Sequence, residues 1–184
     1  KEAFGSASAI VSALKKGLKK VGITKNAVNL VTDTTREAEE LPKPITANAY
    51  QNSVRYQVYN STPELKGFVA DTAEQNHITD IFKRGFIGTK AGDAIRFEIV
   101  GTGIAVQYRK SVKHPACVAK VVLDGDEANA VVLDGNFDET WGDCLYITTV
   151  AKHIEEKERT VEITITEGDE TMVPFYLVSV IGSR

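Results

Sequence analysis

At 184 residues, with 42% hydrophobic and 26% charged side chains, the chain has the composition of a soluble globular protein with room for one well-buried core. A formal net charge of -3 argues against nucleic acid as partner, because that binding needs clustered Lys and Arg to neutralise phosphates. No apolar run is long enough to span a bilayer, and Cys117 and Cys144 lie in separate predicted strands, where buried free thiols are expected rather than a disulfide framework.

Residues 5–21 set Ala7, Ile10, Val11, Leu14, Leu18 and Val21 on one stripe at i, i+3, i+4 spacing. That period predicts an amphipathic helix, capped by Ser6 or Ser8 and ended by Gly22. Lys15, Lys16, Lys19 and Lys20 read as its solvated face. The stretch has neither the continuous apolar run nor the cleavage site of a signal peptide. With no initiator Met, and Met172 its only methionine, the chain reads as a piece of a longer protein. Residues 24–40 are polar, and 41–46 (LPKPIT) form a stiff extended connector because each proline fixes its own φ and biases its predecessor. The expected organisation is a helix and linker over 1–40 and a single β domain over 41–184.

From residue 53 onward the period is two. Val54, Tyr56 and Val58 alternate, then Phe68 and Ala70, then Phe82, Arg84 and Phe86. Clearer strands are predicted at 94–100, 104–108, 117–124, 130–133, 145–150, 160–166 and 174–181. Turn residues separate them, among them Gly92-Asp93, His114-Pro115, Asp124-Gly125 and Asp134-Gly135-Asn136. Short strands at this spacing specify a mostly β protein, an antiparallel jelly-roll-like sandwich following one N-terminal helix.

Three segments carry a family resemblance. Residues 41–50 (LPKPITANAY) look like the connector that leads into the jelly-roll sandwich domains of SGNH/GDSL-type esterases, including bacterial carbohydrate esterases. Residues 103–108 (GIAVQY) followed by 119–125 (AKVVLDG) are similar to their strand, loop and Asp-Gly turn, and 159–165 (RTVEITI) resembles their penultimate strand. Arg159 stands where those domains usually carry a histidine, so no role of that histidine carries over. The helix at 5–21 looks like the last helix of such a hydrolase domain. The resemblance implies a non-catalytic accessory domain C-terminal to a serine esterase. The family's Gly-Asp-Ser nucleophile motif is absent; Ala94, Cys144 and Glu170 follow Gly92-Asp93, Gly142-Asp143 and Gly168-Asp169 instead.

Gly142-Asp143-Cys144 offers a thiol in the nucleophile's place, but a reactive cysteine needs a paired His or a helix N-terminus. A strand follows Cys144, and His77, His114 and His153 are scattered over loops, so a core cysteine is the plainer reading. Asp134, Asn136 and Asp138 set oxygen donors at alternate positions, as calcium loops do, although Glu139 and Leu145 break the EF-hand pattern. Turn capping explains the same residues, and a structural calcium ion is the one cofactor they suggest. Trp141, the only tryptophan, lies in a polar loop with Asp138 and Asp143; its ring can stack on a sugar while the carboxylates bond hydroxyls. Ordinary burial favours instead a Trp folded over the sandwich edge.

The expected function is therefore that of an accessory domain of a bacterial SGNH-type esterase, with the catalytic domain of the same polypeptide as partner. It either buttresses that domain or binds carbohydrate through Trp141, the buttress slightly favoured because no cluster of exposed aromatics is visible. A stand-alone hydrolase using Cys144 or a serine, and a protein–protein adhesion module, stay open as alternatives. Neither a membrane nor a nucleic acid is expected as partner, and the residues do not decide between cytoplasm and secretion.

Overall fold

Alternation of apolar and polar side chains produces the strands, and the computed structural model describes them over residues 52–139 and 141–184. The helix expected at 5–21 and the connector at 41–46 lie outside the described residues. Eleven strands follow in chain order: β1 (Val54–Tyr56), β2 (Glu64–Lys66), β3 (Val69–Ala70), β4 (Phe86–Gly88), β5 (Ala94–Gly101), β6 (Gly103–Lys110), β7 (Val118–Leu123), β8 (Val131–Asp134), β9 (Cys144–Ala151), β10 (Lys157–Glu167) and β11 (Phe175–Ser183). All pair antiparallel within two sheets. Sheet A runs β3-β4-β11-β6-β9, with β1 on the same side of β11 as β4 but at its other end; sheet B runs β2-β5-β10-β7-β8.

Strands β4 to β11 pass between the sheets in the order A, B, A, B, B, A, B, A, a winding that closes two antiparallel sheets over one core as a β-sandwich. Ile95, Phe97 and Ile99 of β5 and Val161, Ile163 and Ile165 of β10 point inward and are buried, while Arg96, Glu98 and Glu162 between them are exposed. From sheet A, Phe86, Val106, Tyr108, Leu177 and Val180 meet them. Period-two burial on both sheets is what removes this apolar area from water, at roughly 25 cal/mol per Å².

Two expectations need correction. Phe82 and Arg84 do not continue a strand into Phe86, because Arg84 adopts a left-handed φ of 59° that an extended chain cannot accommodate. Cys144 is not a core thiol. It opens β9, the edge strand of sheet A, and is only half-buried, whereas Cys117 is fully buried; both are free. Strand β2 has no counterpart in the alternation, since Glu64, Leu65 and Lys66 are all exposed.

Candidate functional site

Four loops gather at one end of the sandwich: β4–β5, β6–β7, β8–β9 and β10–β11. Backbone bonds tie them together: Ala91 N–H to Gly168 O, Phe137 N–H to Ser111 O and Cys117 N–H to Val173 O. Trp141 sits in the β8–β9 loop, which is anchored at both of its ends.

At the first end, Asp134 Oδ1 accepts the Asn136 backbone N–H at 2.9 Å and the Asn136 side-chain amide at 2.8 Å, an Asx turn. The Asn136 side chain clasps the neighbouring loop, accepting from Ala116 N–H at 2.9 Å and donating to Ala116 O at 3.2 Å. Both ring nitrogens of His114 also face this loop, Nδ1 at 3.0 Å from Asn136 Oδ1 and Nε2 at 3.2 Å from Phe137 O. The backbones touch at Gly135, where a Cβ would lie 2.4 Å from Cys117 O, so only glycine fits.

At the second end, Asp143 Oδ1 accepts from Ser111 Oγ at 2.9 Å and Val112 N–H at 3.2 Å. Its Oδ2 faces Arg109 Nε at 3.8 Å. Arg109 is itself held by a 2.9 Å bond to Pro174 O and lies over the Phe82 and Tyr176 rings.

Between these anchors Trp141 is 70% exposed. Its one ring contact among the described residues is the edge of Phe137, with centroids 5.6 Å apart at 90°. The expectation of a tryptophan folded over the sandwich edge is thus overturned: the anchoring bonds hold the loop out from the sheets. Tyr146, 43% exposed, lies nearby in sequence at the start of β9, with Lys110 Nζ 4.9 Å from its ring centre and Tyr108 packed edge-on beneath it. Asp138 is exposed on the same loop, while Asp143 is tied inward by Ser111, Val112 and Arg109.

The structure brings Asp134 and Asn136 together, but in hydrogen bonds that spend Asp134 Oδ1 and Asn136 Oδ1 within the protein. Among the described residues no group of three or more His, Cys, Asp or Glu side chains is gathered as a metal would require. The Cys144 thiol points at Leu145 O at 3.5 Å. Signals that sequence reading missed are the roles of Ser111, Arg109 and His114 as loop anchors, each bonded to a partner more than twenty residues away.

Sheet B borders two hollows of about 590 and 390 Å³ that share Arg96. Its charges are already engaged with one another: Arg96 with Glu98 at 3.0 Å and Glu98 with Thr160 Oγ1 at 3.1 Å. No helix among the described residues is long and apolar enough to cross a membrane.

No family model and no curated protein matches the chain. Solved structures do. A two-domain esterase active on acetylated mannans, co-crystallised with mannopentaose, is 52% identical over 78% of this chain and 39% of its own, with a TM-score of 0.73. A second crystal structure of a two-domain esterase active on acetylated mannans is 46% identical over 96% of this chain and 46% of its own, again at 0.73. A family two carbohydrate esterase from Cellvibrio japonicus shares the fold at 11% identity and a TM-score of 0.51, over 72% of this chain and 33% of its own. This chain thus spans less than half the length of the two-domain esterases to which it is similar.

Proposed function

We propose that this chain is the non-catalytic sandwich module of an esterase acting on acylated polysaccharide, and that it binds glycan at the loop end through Trp141. The observation that carries the reading is the exposure of Trp141 on a loop pinned at Asn136 and Asp143. Exposing an indole to water is costly, whereas a pyranose offers it an apolar C–H face and hydroxyls for neighbouring carboxylates. Asp138 is the carboxylate placed to take those hydroxyls; Asp143 acts as the tie that fixes the indole's position. A fixed loop also loses little entropy on binding.

The likeness to two-domain esterases active on acetylated mannans makes acetylated manno-oligosaccharide the first ligand to test. The catalytic partner is an SGNH-type domain of the same polypeptide. The exposed Trp141 and Tyr146 shift the balance toward glycan binding and away from a purely buttressing role.

Trp141 is the only tryptophan, so selectively excited tryptophan emission reports this loop alone. Titrating acetylated manno-oligosaccharide is expected to shift and change that emission, and Trp141→Ala is expected to weaken binding measured by calorimetry about tenfold or more. No heat and no spectral change with mannan, xylan or cellulose oligosaccharides would sink the proposal.

A further inference from the structure

A hollow of about 230 Å³ lies on the outer face of sheet A, away from the core. Three cations line it, Arg55, Lys83 and Arg84, and no carboxylate does. This is unusual within the chain, whose net charge is -3. Among the described arginines, Arg96, Arg109, Arg159 and Arg184 each have a carboxylate within ion-pair distance, whereas Arg55 and Arg84 have none.

Two of the cations are held in place by neutral groups. Arg55 Nε donates to Ser179 Oγ at 3.4 Å, and that hydroxyl donates to Gln107 Oε1 at 2.9 Å. The Arg84 guanidinium lies 5.9 Å above the centre of the Tyr59 ring, whose hydroxyl donates to the buried Gln57 at 2.9 Å. Ile81, Leu145 and Val178 supply its apolar lining, beside the amides of Gln57 and Gln75.

Arg84 carries a second, independent mark. Its φ of 59° is left-handed, a conformation that costs an ordinary side chain of order 1–3 kcal/mol. The strain has a packing origin in its neighbour: a Cβ on Gly85 would lie 2.4 Å from Leu177 O, and the Gly85 N–H is bound by the Tyr176 hydroxyl at 3.2 Å. That packing sets the backbone path but does not call for an arginine; glycine or asparagine would occupy position 84 at lower cost.

We propose that this hollow binds a small organic carboxylate. The carboxylate lies against the Arg55 and Arg84 guanidiniums, whose donors match it in pairs, with Lys83 adding charge, and the rest of the molecule covers Ile81, Leu145 and Val178. The chemistry fits two sources, an acyl acid such as an esterase would release and a sugar acid on a glycan, and the aliphatic side chains with the Gln57 and Gln75 amides beside them serve either. The site does not depend on Trp141 or on the glycan reading.

The test is calorimetric titration of the full chain with butyrate and with glucuronate, beside glucose and sulfate. At least one carboxylate is expected to bind while glucose does not, and the tighter of the two identifies the source. Arg84→Gly is expected to weaken that binding about tenfold or more while holding or raising the melting temperature, because it removes the charge and relieves the backbone together. Arg55→Gln is expected to weaken it similarly, and Trp141→Ala to leave it unchanged, which separates this site from the glycan site. Binding of neither carboxylate, equal binding of sulfate, or full binding by both arginine variants would overturn the proposal.

Discussion

On sheet B the outward side chains of β5 and β10 face water and satisfy each other: Arg96 bonds Glu98, and Glu98 accepts from Thr160. On sheet A the outward side chains lie in a second layer. Tyr176 is only 5% exposed, packed edge-on against Phe82 and bonded to Asp71 at 2.6 Å, and Arg109 lies over both rings. Sheet B is therefore finished by charges that water could replace with little loss, and sheet A by aromatic and polar groups that need each other. Partner sites belong where such a layer is incomplete, and the hollow beside Arg84 and the Trp141 loop both border sheet A.

Substitutions can break this comparison. Leu177, fully buried and inward on β11, sets the scale: Leu177→Ala is expected to cost about 2–5 kcal/mol in denaturant unfolding. Tyr176→Phe, one residue earlier and facing outward, is expected to cost about 1–3 kcal/mol, since it strips Asp71 of a donor and the buried Gly85 N–H of an acceptor. A cost near zero would mean that the outer layer of sheet A is no more than ordinary surface.

The same tyrosine predicts a pH dependence. Burial, and then the bond to Asp71, push the Tyr176 hydroxyl well above the ordinary tyrosine range, and burial raises Tyr108 in the same direction. An unfolded tyrosine titrates near about 10. Because the folded values lie above the unfolded one, the stability they contribute is intact below about pH 10 and drains away as pH rises beyond it. Urea melts across that range are expected to show the decline, and Tyr176→Phe to flatten part of it.

The strands at 94–181 were legible because their alternation is a local property of six to eight residues. Trp141 was legible as a residue but not as an exposed one. Its exposure depends on Ser111 reaching Asp143 and Ala116 reaching Asn136, bonds that link different loops and leave no periodic trace. The three cations beside Ile81 were equally hidden, since Arg55 and the Lys83-Arg84 pair come from separate segments and only the folded sheet brings them to one hollow. The alternation through Phe82, Arg84 and Phe86 misled because Gly85 packs against Leu177, a contact almost a hundred residues away.

For Trp141→Ala the expected stability change is within about 0.5 kcal/mol, because the ring is mostly in water and its loop is held by other residues. Loss of glycan binding with intact melting would therefore be a change at the site itself. A large loss of stability would instead place the indole in the packing and count against its role as a sugar platform.

The smallest expected effect tests the other side of the comparison. Arg96 and Glu98 are about half exposed, so their ion pair contributes roughly 0–1 kcal/mol and less in salt. Glu98→Gln is expected to change stability by under about 0.5 kcal/mol in low salt, with the difference vanishing in high salt, and to leave glycan affinity unchanged. The two hollows that share Arg96 give this variant its force. If glycan affinity fell while stability held, sheet B and not the Trp141 loop would be the glycan-binding face, and the engaged charges on it would be read as a ligand site awaiting hydroxyls in place of water.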